Sequence, residues 1–122
     1  LIGIEQNAAA VRDANINAEL NGIENAEFFC GDSGEIMQKI ENSGVKIDAV
    51  FMDPARAGAD RRFLNALRNV APEKIVYISC NPETLARDLS YLSKDYRITK
   101  IQPVDMFPMT KHIETVCLLS RK

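Results

Sequence analysis

The most informative stretch of the sequence is Ile47-Asp-Ala-Val-Phe-Met-Asp-Pro54, an apolar run that leads directly into an acidic residue and a proline. A short apolar run of this kind is typical of a strand buried in a parallel sheet. A second run, Lys74-Ile-Val-Tyr-Ile-Ser79, leads in the same way into Cys80-Asn-Pro82. Both runs predict strands whose carboxyl ends carry polar or reactive side chains.

Strand-like and helix-like segments alternate on both sides of these two runs. The predicted strands are 1–4, 26–30, 47–52, 74–79, 96–104 and 113–119, and the predicted helix starts are Asn7, Ser33, Asp60 and Asn81. Side chains of this type cap helix N-termini, and Pro82 suits a first helical position. The order βαβαβαβαββ predicts one α/β domain, residues 1–122, with a mostly parallel sheet, helices on both faces and one antiparallel strand near the edge.

Composition narrows the class of protein. The chain has 122 residues and a formal net charge of -2, so it has no basic excess of the kind that nucleic-acid binders usually carry.

The three cysteines form no CxxC pair, so the sequence predicts neither a zinc site nor a disulfide framework. This pattern favours a reducing, cytoplasmic compartment. Cys30 and Cys117 lie within apolar strands, where we expect core packing. No apolar stretch reaches the length of a membrane span.

Acidic side chains follow the first three predicted strands. Ligands of such sheets bind beyond the carboxyl ends of the strands, where Glu5, Asp32 and Asp53 are expected. A carboxylate at the position of Glu5 can accept both hydroxyls of a ribose, although a solvated strand end would look the same. Asp32 can accept from an adenine amino group or simply begin the next helix. Arg56, three residues after Asp53, can bind a phosphate or carboxylate or lie on the surface of a tight turn.

Cys80 is the strongest candidate for chemistry. It lies between a buried strand and a helix N-terminus, whose partial positive charge favours the thiolate, the form that attacks. A buried structural cysteine is the alternative. Glu114 opens the last strand, and it is a plausible base if it is partly buried beside Cys80. His112, the only histidine, shares a face with Glu114. It is either catalytic or, as is more common for a lone histidine, a hydrogen-bonded structural residue.

These residues resemble the RNA uracil-5-methyltransferase family, which makes 5-methyluridine in transfer and ribosomal RNA. The motifs that carry the resemblance are Asp53-Pro-Ala-Arg-Ala-Gly58, Ser79-Cys-Asn-Pro82 with Thr84-Leu-Ala-Arg-Asp88, and Pro103-Val-Asp-Met-Phe-Pro108 followed by His112-Ile-Glu114. They occur in the family's order, and the likeness runs from Leu1 to about Leu119. Ala55 stands where the family usually has a second proline, and Met109 stands where it often has histidine.

The resemblance implies a Rossmann-like, S-adenosylmethionine-dependent fold and a role for each candidate. Glu5 would hold the ribose of the cofactor and Asp32 its adenine end, while Asp53 would line the place where cofactor and uracil meet. Cys80 would attack C6 of uracil in RNA, and Glu114 would remove the C5 proton. The cysteines that hold an iron–sulfur cluster in some members have no counterpart in this chain.

One element of the family fold has no counterpart before Leu1: a central strand with its Gly-rich turn. We therefore expect the sheet to have a gap, which the chain either closes or fills by pairing with another copy. We also expect the 122 residues alone to bind cofactor weakly and to have little activity.

Two other functions fit parts of the pattern. An amino-methyltransferase acting on a nucleobase often has an Asp-Pro-Pro type of turn, but it does not need Cys80. A non-catalytic RNA-binding or assembly module is the second alternative, which the acidic balance disfavours. Replacement of Cys80 by alanine separates the first alternative from uracil C5 methylation.

Overall fold

The computed structural model describes all 122 residues and contains six strands and four helices in the predicted order. The elements are β1 Ile2–Glu5, α1 Ala8–Leu20, β2 Glu27–Cys30, α2 Ser33–Ser43, β3 Ala49–Met52, α3 Arg61–Val70, β4 Lys74–Ser79, α4 Pro82–Leu92, β5 Tyr96–Val104 and β6 Glu114–Arg121. The predicted alternation, including the closing pair of strands without a helix between them, is confirmed.

The strands form two separate sheets. β1 pairs with β2 in parallel, and the other four strands have the order β3-β4-β6-β5. β3 and β4 are parallel, whereas β6 runs antiparallel to both of its neighbours, so the predicted antiparallel strand near the edge is confirmed. No pairing joins β1 to β3. The chain therefore does not close the predicted gap by itself, and pairing with another copy stays a prediction.

The helix starts follow from local cap chemistry. The side chains of Asn7, Asp60 and Asn81 accept hydrogen bonds from main-chain amides of α1, α3 and α4, as predicted. The prediction that Ser33 caps α2 is wrong by one residue. Asp32 has the extended backbone of a cap, and its Oδ1 accepts from the amide of Glu35 at 3.0 Å. A carboxylate is an effective acceptor at this position, so Ser33 becomes the first helical residue.

The hydrophobic core lies between α3 and α4 and one face of the four-stranded sheet. Its fully buried residues include Leu67 on α3, Leu92 on α4, Ile75 and Tyr77 on β4, and Leu119 on β6. Side chains alternate across a strand, so the intervening residues of β4 and β6 point to the opposite face, where they are only half-buried. No residue of α1 is buried, and this helix packs on β1 and β2.

The two cysteines that were predicted to pack in the core differ in their burial. Cys117 is 0% exposed, as expected. Cys30 is exposed, so its prediction is wrong. It ends β2, a strand that is exposed except for the half-buried Phe28, and its Sγ lies 3.6 Å from the carbonyl oxygen of Gln6. None of the four helices combines the length and the apolar character that crossing a membrane requires.

Candidate active site

The loops that follow β3 and β4 are tied together through the backbone of Arg56. Its carbonyl oxygen accepts from the side-chain amide of Asn81 at 3.2 Å and from the hydroxyl of Thr84 at 3.2 Å. Asn81 and Thr84 belong to the start of α4, directly after Cys80. The loop that begins at Asp53 is thereby fixed to the turn that contains Cys80, so the structure brings these sequence-predicted residues to one edge of the sheet.

Cys80 lies in the bend between β4 and α4, as predicted, and it is half-buried. The bend is held from both sides. The buried hydroxyl of Ser79 accepts from the amide of Asn81 at 3.1 Å, and Oδ1 of Asn81 accepts from the amide of Glu83 at 3.1 Å. The Cys80 thiol has no hydrogen-bond partner in the protein, which leaves its sulfur free to contact a ligand.

The register of β4 and β6 relates Cys80 to Glu114. Ser79 pairs with Thr115 at the end of this antiparallel ladder. Cys80 directly follows Ser79 and Glu114 directly precedes Thr115, so the two candidates lie at the same end of one strand pair. Glu114 is half-buried, and no protein group donates a hydrogen bond to its carboxylate. Its partial burial meets one condition for a role as base, and that role stays a prediction.

His112 joins the same edge through Arg56. Nη1 of Arg56 lies 3.3 Å from Nδ1 of His112, and both residues are exposed. A guanidinium can only donate, so Nδ1 of His112 is the acceptor in this contact. The segment that leads into Glu114 is thus connected to the loop after β3. His112 is therefore hydrogen-bonded, with Arg56 as the partner, and its structural role stays a prediction.

Glu5 and Asp32 form a second group, at the carboxyl ends of β1 and β2. Oε1 of Glu5 accepts from the amide of Asn7 at 2.7 Å. Oδ1 of Asp32 accepts from the amide of Glu35 and from Nη2 of Arg62 at 2.8 Å. The second carboxylate oxygen of each residue has no protein partner, so each can still accept from a ligand. No hydrogen bond connects this group directly to Asp53 or Cys80.

Sequence reasoning missed one buried charged residue, Asp88 on α4. Its side chain is 1% exposed and accepts from the Tyr77 hydroxyl at 2.7 Å and from the Ala59 amide at 2.8 Å. Burial, followed by the hydrogen bond to Asp88, raises the pKa of Tyr77, so this hydroxyl stays a donor. A signal was present in the sequence, because Asp88 lies three residues after Leu85 and four before Leu92, on the apolar stripe of the helix.

Two of the open clefts on the chain have volumes of about 340 Å³ each. One lies at the amino end of β4, at the far end of the strands from Cys80, and is lined by Arg68, Asn69, Ala71, Lys94, Asp95, Tyr96, Arg121 and Lys122. The other borders the loop at Gly58 and includes Arg87 and Asp88. Neither contains Cys80 or Glu114, so the candidate site is defined by its side chains and strand register.

Known proteins are similar to this chain in both sequence and fold. The family model described as tRNA (uracil-5-)-methyltransferase matches residues 2–122. An uncharacterized RNA methyltransferase of Listeria monocytogenes is 50% identical over 113 residues, which are 93% of this chain and 25% of the relative. The structure of Pyrococcus abyssi tRNA (uracil-54, C5)-methyltransferase in complex with S-adenosyl-L-homocysteine is similar with a TM-score of 0.80 and 40% identity, over 97% of this chain and 28% of that chain.

A more distant likeness concerns the fold alone. An rRNA methylase from Streptococcus thermophilus has a TM-score of 0.71 at 12% identity, over 98% of this chain and 72% of that chain. The fold is thus that of the Rossmann-like, S-adenosylmethionine-dependent methyltransferases. Within this class, the chain belongs to the tRNA (uracil-5-)-methyltransferase family. It spans about a quarter of the length of the curated relatives that it matches, with 25% of the Listeria protein covered.

Proposed function

We propose that these residues are the catalytic part of an enzyme that methylates C5 of uracil in transfer or ribosomal RNA. The proposal rests on the register of β4 and β6, which brings Cys80 and Glu114 to the same end of one strand pair. A thiol and a carboxylate are the nucleophile and the base that this reaction needs. Family membership supports uracil as the target, and the Pyrococcus relative is named for uracil C5 methylation.

Two carboxylates fit the nucleoside part of S-adenosylmethionine. Glu5 and Asp32 each have one oxygen without a protein donor, and a ribose hydroxyl and an adenine amino group are both donors. We assign Glu5 to the ribose and Asp32 to the adenine end, with Asp53 lining the place where cofactor and uracil meet. The bound cofactor supplies an electrophilic methyl group, because its positively charged sulfur is a good leaving group.

Cys80 makes uracil reactive. Carbon 5 of uracil is too weak a nucleophile to accept a methyl group unaided. Addition of the Cys80 thiolate forms an S–C6 bond and moves the electron pair of the C5=C6 double bond onto C5 and the O4 carbonyl. Splitting one difficult step into two easier ones in this way is the purpose of covalent catalysis. The unpartnered Sγ of Cys80 is free to approach C6.

Glu114 completes the reaction after C5 has gained its methyl group. Its carboxylate takes the C5 proton, and the electron pair of the broken C–H bond re-forms the C5=C6 double bond. The pair of the S–C6 bond returns to sulfur and restores the Cys80 thiolate. No protein group donates to Glu114 in the structure, so its oxygens are free to accept this proton.

RNA is the macromolecular partner in this proposal. A base inside an RNA fold must be turned out of its stack to reach Cys80. Arg56 can bind a nearby phosphate, because one of its nitrogens bonds to His112 and the others have no partner. The proposal places the protein in the cytoplasm, since a thiolate nucleophile must stay reduced.

The test uses a full-length chimaera, defined as a complete family member in which these 122 residues replace the matching segment. We expect the 122 residues alone to have little activity. The chimaera is incubated with S-adenosylmethionine and RNA that contains 5-fluorouridine, followed by denaturing electrophoresis and mass spectrometry. Fluorine cannot leave as a proton, so a methylated RNA adduct on Cys80 should accumulate.

Two cysteine variants control the experiment. Cys80→Ala should abolish the adduct. Cys30→Ser alters an exposed thiol at the end of β2, beside the proposed cofactor residues, and with saturating cofactor it should still form the adduct. Methyl transfer to RNA without any adduct would favour an amino-methyltransferase. The absence of both adduct and transfer on several RNAs would contradict the proposal and favour a non-catalytic module.

A further inference from the structure

Asp88 of α4 is a buried carboxylate that the proposed mechanism does not use. Its Oδ2 accepts from the main-chain amide of Ala59 and from the hydroxyl of Tyr77, and its Oδ1 accepts from Nε of Arg87 at 2.9 Å. Burying a carboxylate is costly, and an apolar residue of similar volume often stabilises a fold as well or better. Core stability therefore does not explain why a carboxylate lies here. The hydrogen bond that Asp88 accepts from the Ala59 amide points to a different role.

Arg87, the neighbour of Asp88, holds the same loop by its carbonyl groups. Its Nη2 donates to the carbonyl oxygens of Ala57 at 3.0 Å and of Ala59 at 3.3 Å. Gly58 between them has a φ of +79°, and a Cβ there would lie 2.6 Å from Nη2 of Arg87 and 2.7 Å from Oδ2 of Asp88. The backbone thus lies directly on the two side chains. Together with the bonds from Asn81 and Thr84 to the Arg56 carbonyl, α4 holds residues 56–59 at four main-chain groups.

The same carboxylate reaches the strand that carries the nucleophile. Tyr77 lies on β4, three residues before Cys80, and its hydroxyl donates to Asp88. One side chain therefore contacts β4 and the loop after β3, while itself belonging to the helix that follows Cys80. The Asp88 carboxylate thus links the strand before Cys80, the helix after it and the loop after β3.

We infer that Asp88 and Arg87 are positioning residues that fix the loop after β3, and with it Asp53 and Arg56, relative to Cys80. The inference rests on the proposed function and adds two residues that act through the loop that they hold. Misplacement of a reacting group by about 1 Å can cost on the order of a hundredfold in rate. Loosening the junction should therefore slow the chemical step and leave RNA affinity nearly unchanged.

The test compares Arg87→Gln, Arg87→Lys and Tyr77→Phe in the full-length chimaera. The Arg87 side chain is 52% exposed, so its replacement does not open the core. Arg97→Gln is the matched control, because Arg97 is an exposed arginine on β5 at the far end of the strands from Cys80 and the junction. Hydrogen–deuterium exchange of residues 55–60, RNA affinity, and the rate of adduct formation at saturating RNA and cofactor are measured for each protein.

We expect Arg87→Gln to speed exchange in residues 55–60 and to slow adduct formation by roughly tenfold or more, with RNA affinity changed less than about twofold. Arg87→Lys should recover part of the rate, since one ammonium cannot replace the forked donors. Tyr77→Phe should also lower the rate, and Arg97→Gln should match the wild type.

Two results would overturn the inference separately from the proposed function. Wild-type adduct rates in both Arg87→Gln and Tyr77→Phe would mean that the junction does not position the site. Unchanged exchange in residues 55–60 would mean that Arg87 does not hold the loop. By contrast, the absence of any adduct in the wild-type chimaera would overturn the proposed function itself.

Discussion

Ser79 on β4 pairs with Thr115 on β6, and the two side chains are 4% and 8% exposed. This buried pair closes the ladder at the point where Cys80 leaves β4 and Glu114 enters β6. The relative position of the proposed nucleophile and base therefore depends more on the register of the sheet than on the conformation of a loop. The packed core maintains this register.

Glu114→Gln should separate the two halves of the proposed reaction. Glutamine cannot accept the C5 proton, so the Cys80 adduct should form and then persist on ordinary uridine. We expect turnover to fall by about 10²–10⁴-fold, the usual contribution of a general base. Mass spectrometry of the full-length chimaera with unmodified RNA measures the trapped species. Normal turnover by Glu114→Gln would exclude Glu114 as the base.

Gly58→Ala should destabilise the protein more than Gly22→Ala. Both glycines have a positive φ, +79° and +63°, which costs an L residue about 1–2 kcal/mol. At Gly58 the added Cβ would also collide with atoms of Arg87 and Asp88. At Gly22 no atom lies within 4 Å of the added Cβ. Urea denaturation measures the difference in the free energy of unfolding. Equal losses for the two variants would contradict the close packing of this loop on α4.

Cys30 and Cys117 should differ in their rates of reaction with iodoacetamide. Burial raises the pKa of the Cys117 thiol, and its side chain is 0% exposed, so it should stay unmodified in the native protein at neutral pH. Cys30, which is exposed, should react readily. Peptide mass spectrometry after timed labelling measures each rate, with urea-denatured protein as the reference in which all three cysteines react. Fast native labelling of Cys117 would contradict its burial.

The Arg68–Asp95 ion pair should add stability that depends on pH. The hydrogen bond from Arg68 lowers the pKa of Asp95 below its ordinary value of 3.8. Since the folded state has the lower pKa, the contribution is fully present above about pH 4 and is lost as the pH falls through the folded-state value. The difference in Tm between wild type and Asp95→Asn should therefore shrink between pH 6 and pH 3.

Salt and a second variant provide controls for this ion pair. The pair is partly exposed, with 43% of the Asp95 side chain accessible, so added salt should weaken the effect. Asp48→Asn removes a more exposed pair with Lys46, in which the Asp48 side chain is 76% accessible, and should change Tm less. A pH-independent difference for Asp95→Asn would show that the ion pair does not contribute.

The 122-residue chain should associate with itself. β1 and β3 each have one unpaired edge, and the apolar side chains of Leu1 and Phe51 are 80% and 75% exposed. Exposed strand edges of this kind pair readily with other chains. Sedimentation velocity over a range of concentrations should show dimers or larger species, and Phe51→Lys should reduce them. A chain that stays monomeric at high concentration would contradict the prediction.

Much of the fold could be predicted because its signals are local. The apolar runs before Asp53 and Cys80, and the caps at Asp60 and Asn81, each depend on a few neighbouring residues. The wrong prediction of the α2 cap also has a local cause, since the adjacent Asp32 and Ser33 are both good caps. The exposure of Cys30 could not be predicted in this way, because it depends on whether any element covers the end of β2.

The sequence by itself determined the order of the elements and the placement of Glu5, Asp32, Asp53 and Cys80 at strand ends, since periodicity and cap chemistry act within one turn or one strand. Only the tertiary structure decided which strands are neighbours, that Cys80 and Glu114 share the end of one pair, and that Asp88 points inward to Tyr77 and Ala59. The three relations between side chains join residues that are 11, 29 and 34 positions apart, and they arise from packing of whole elements, which no local pattern encodes.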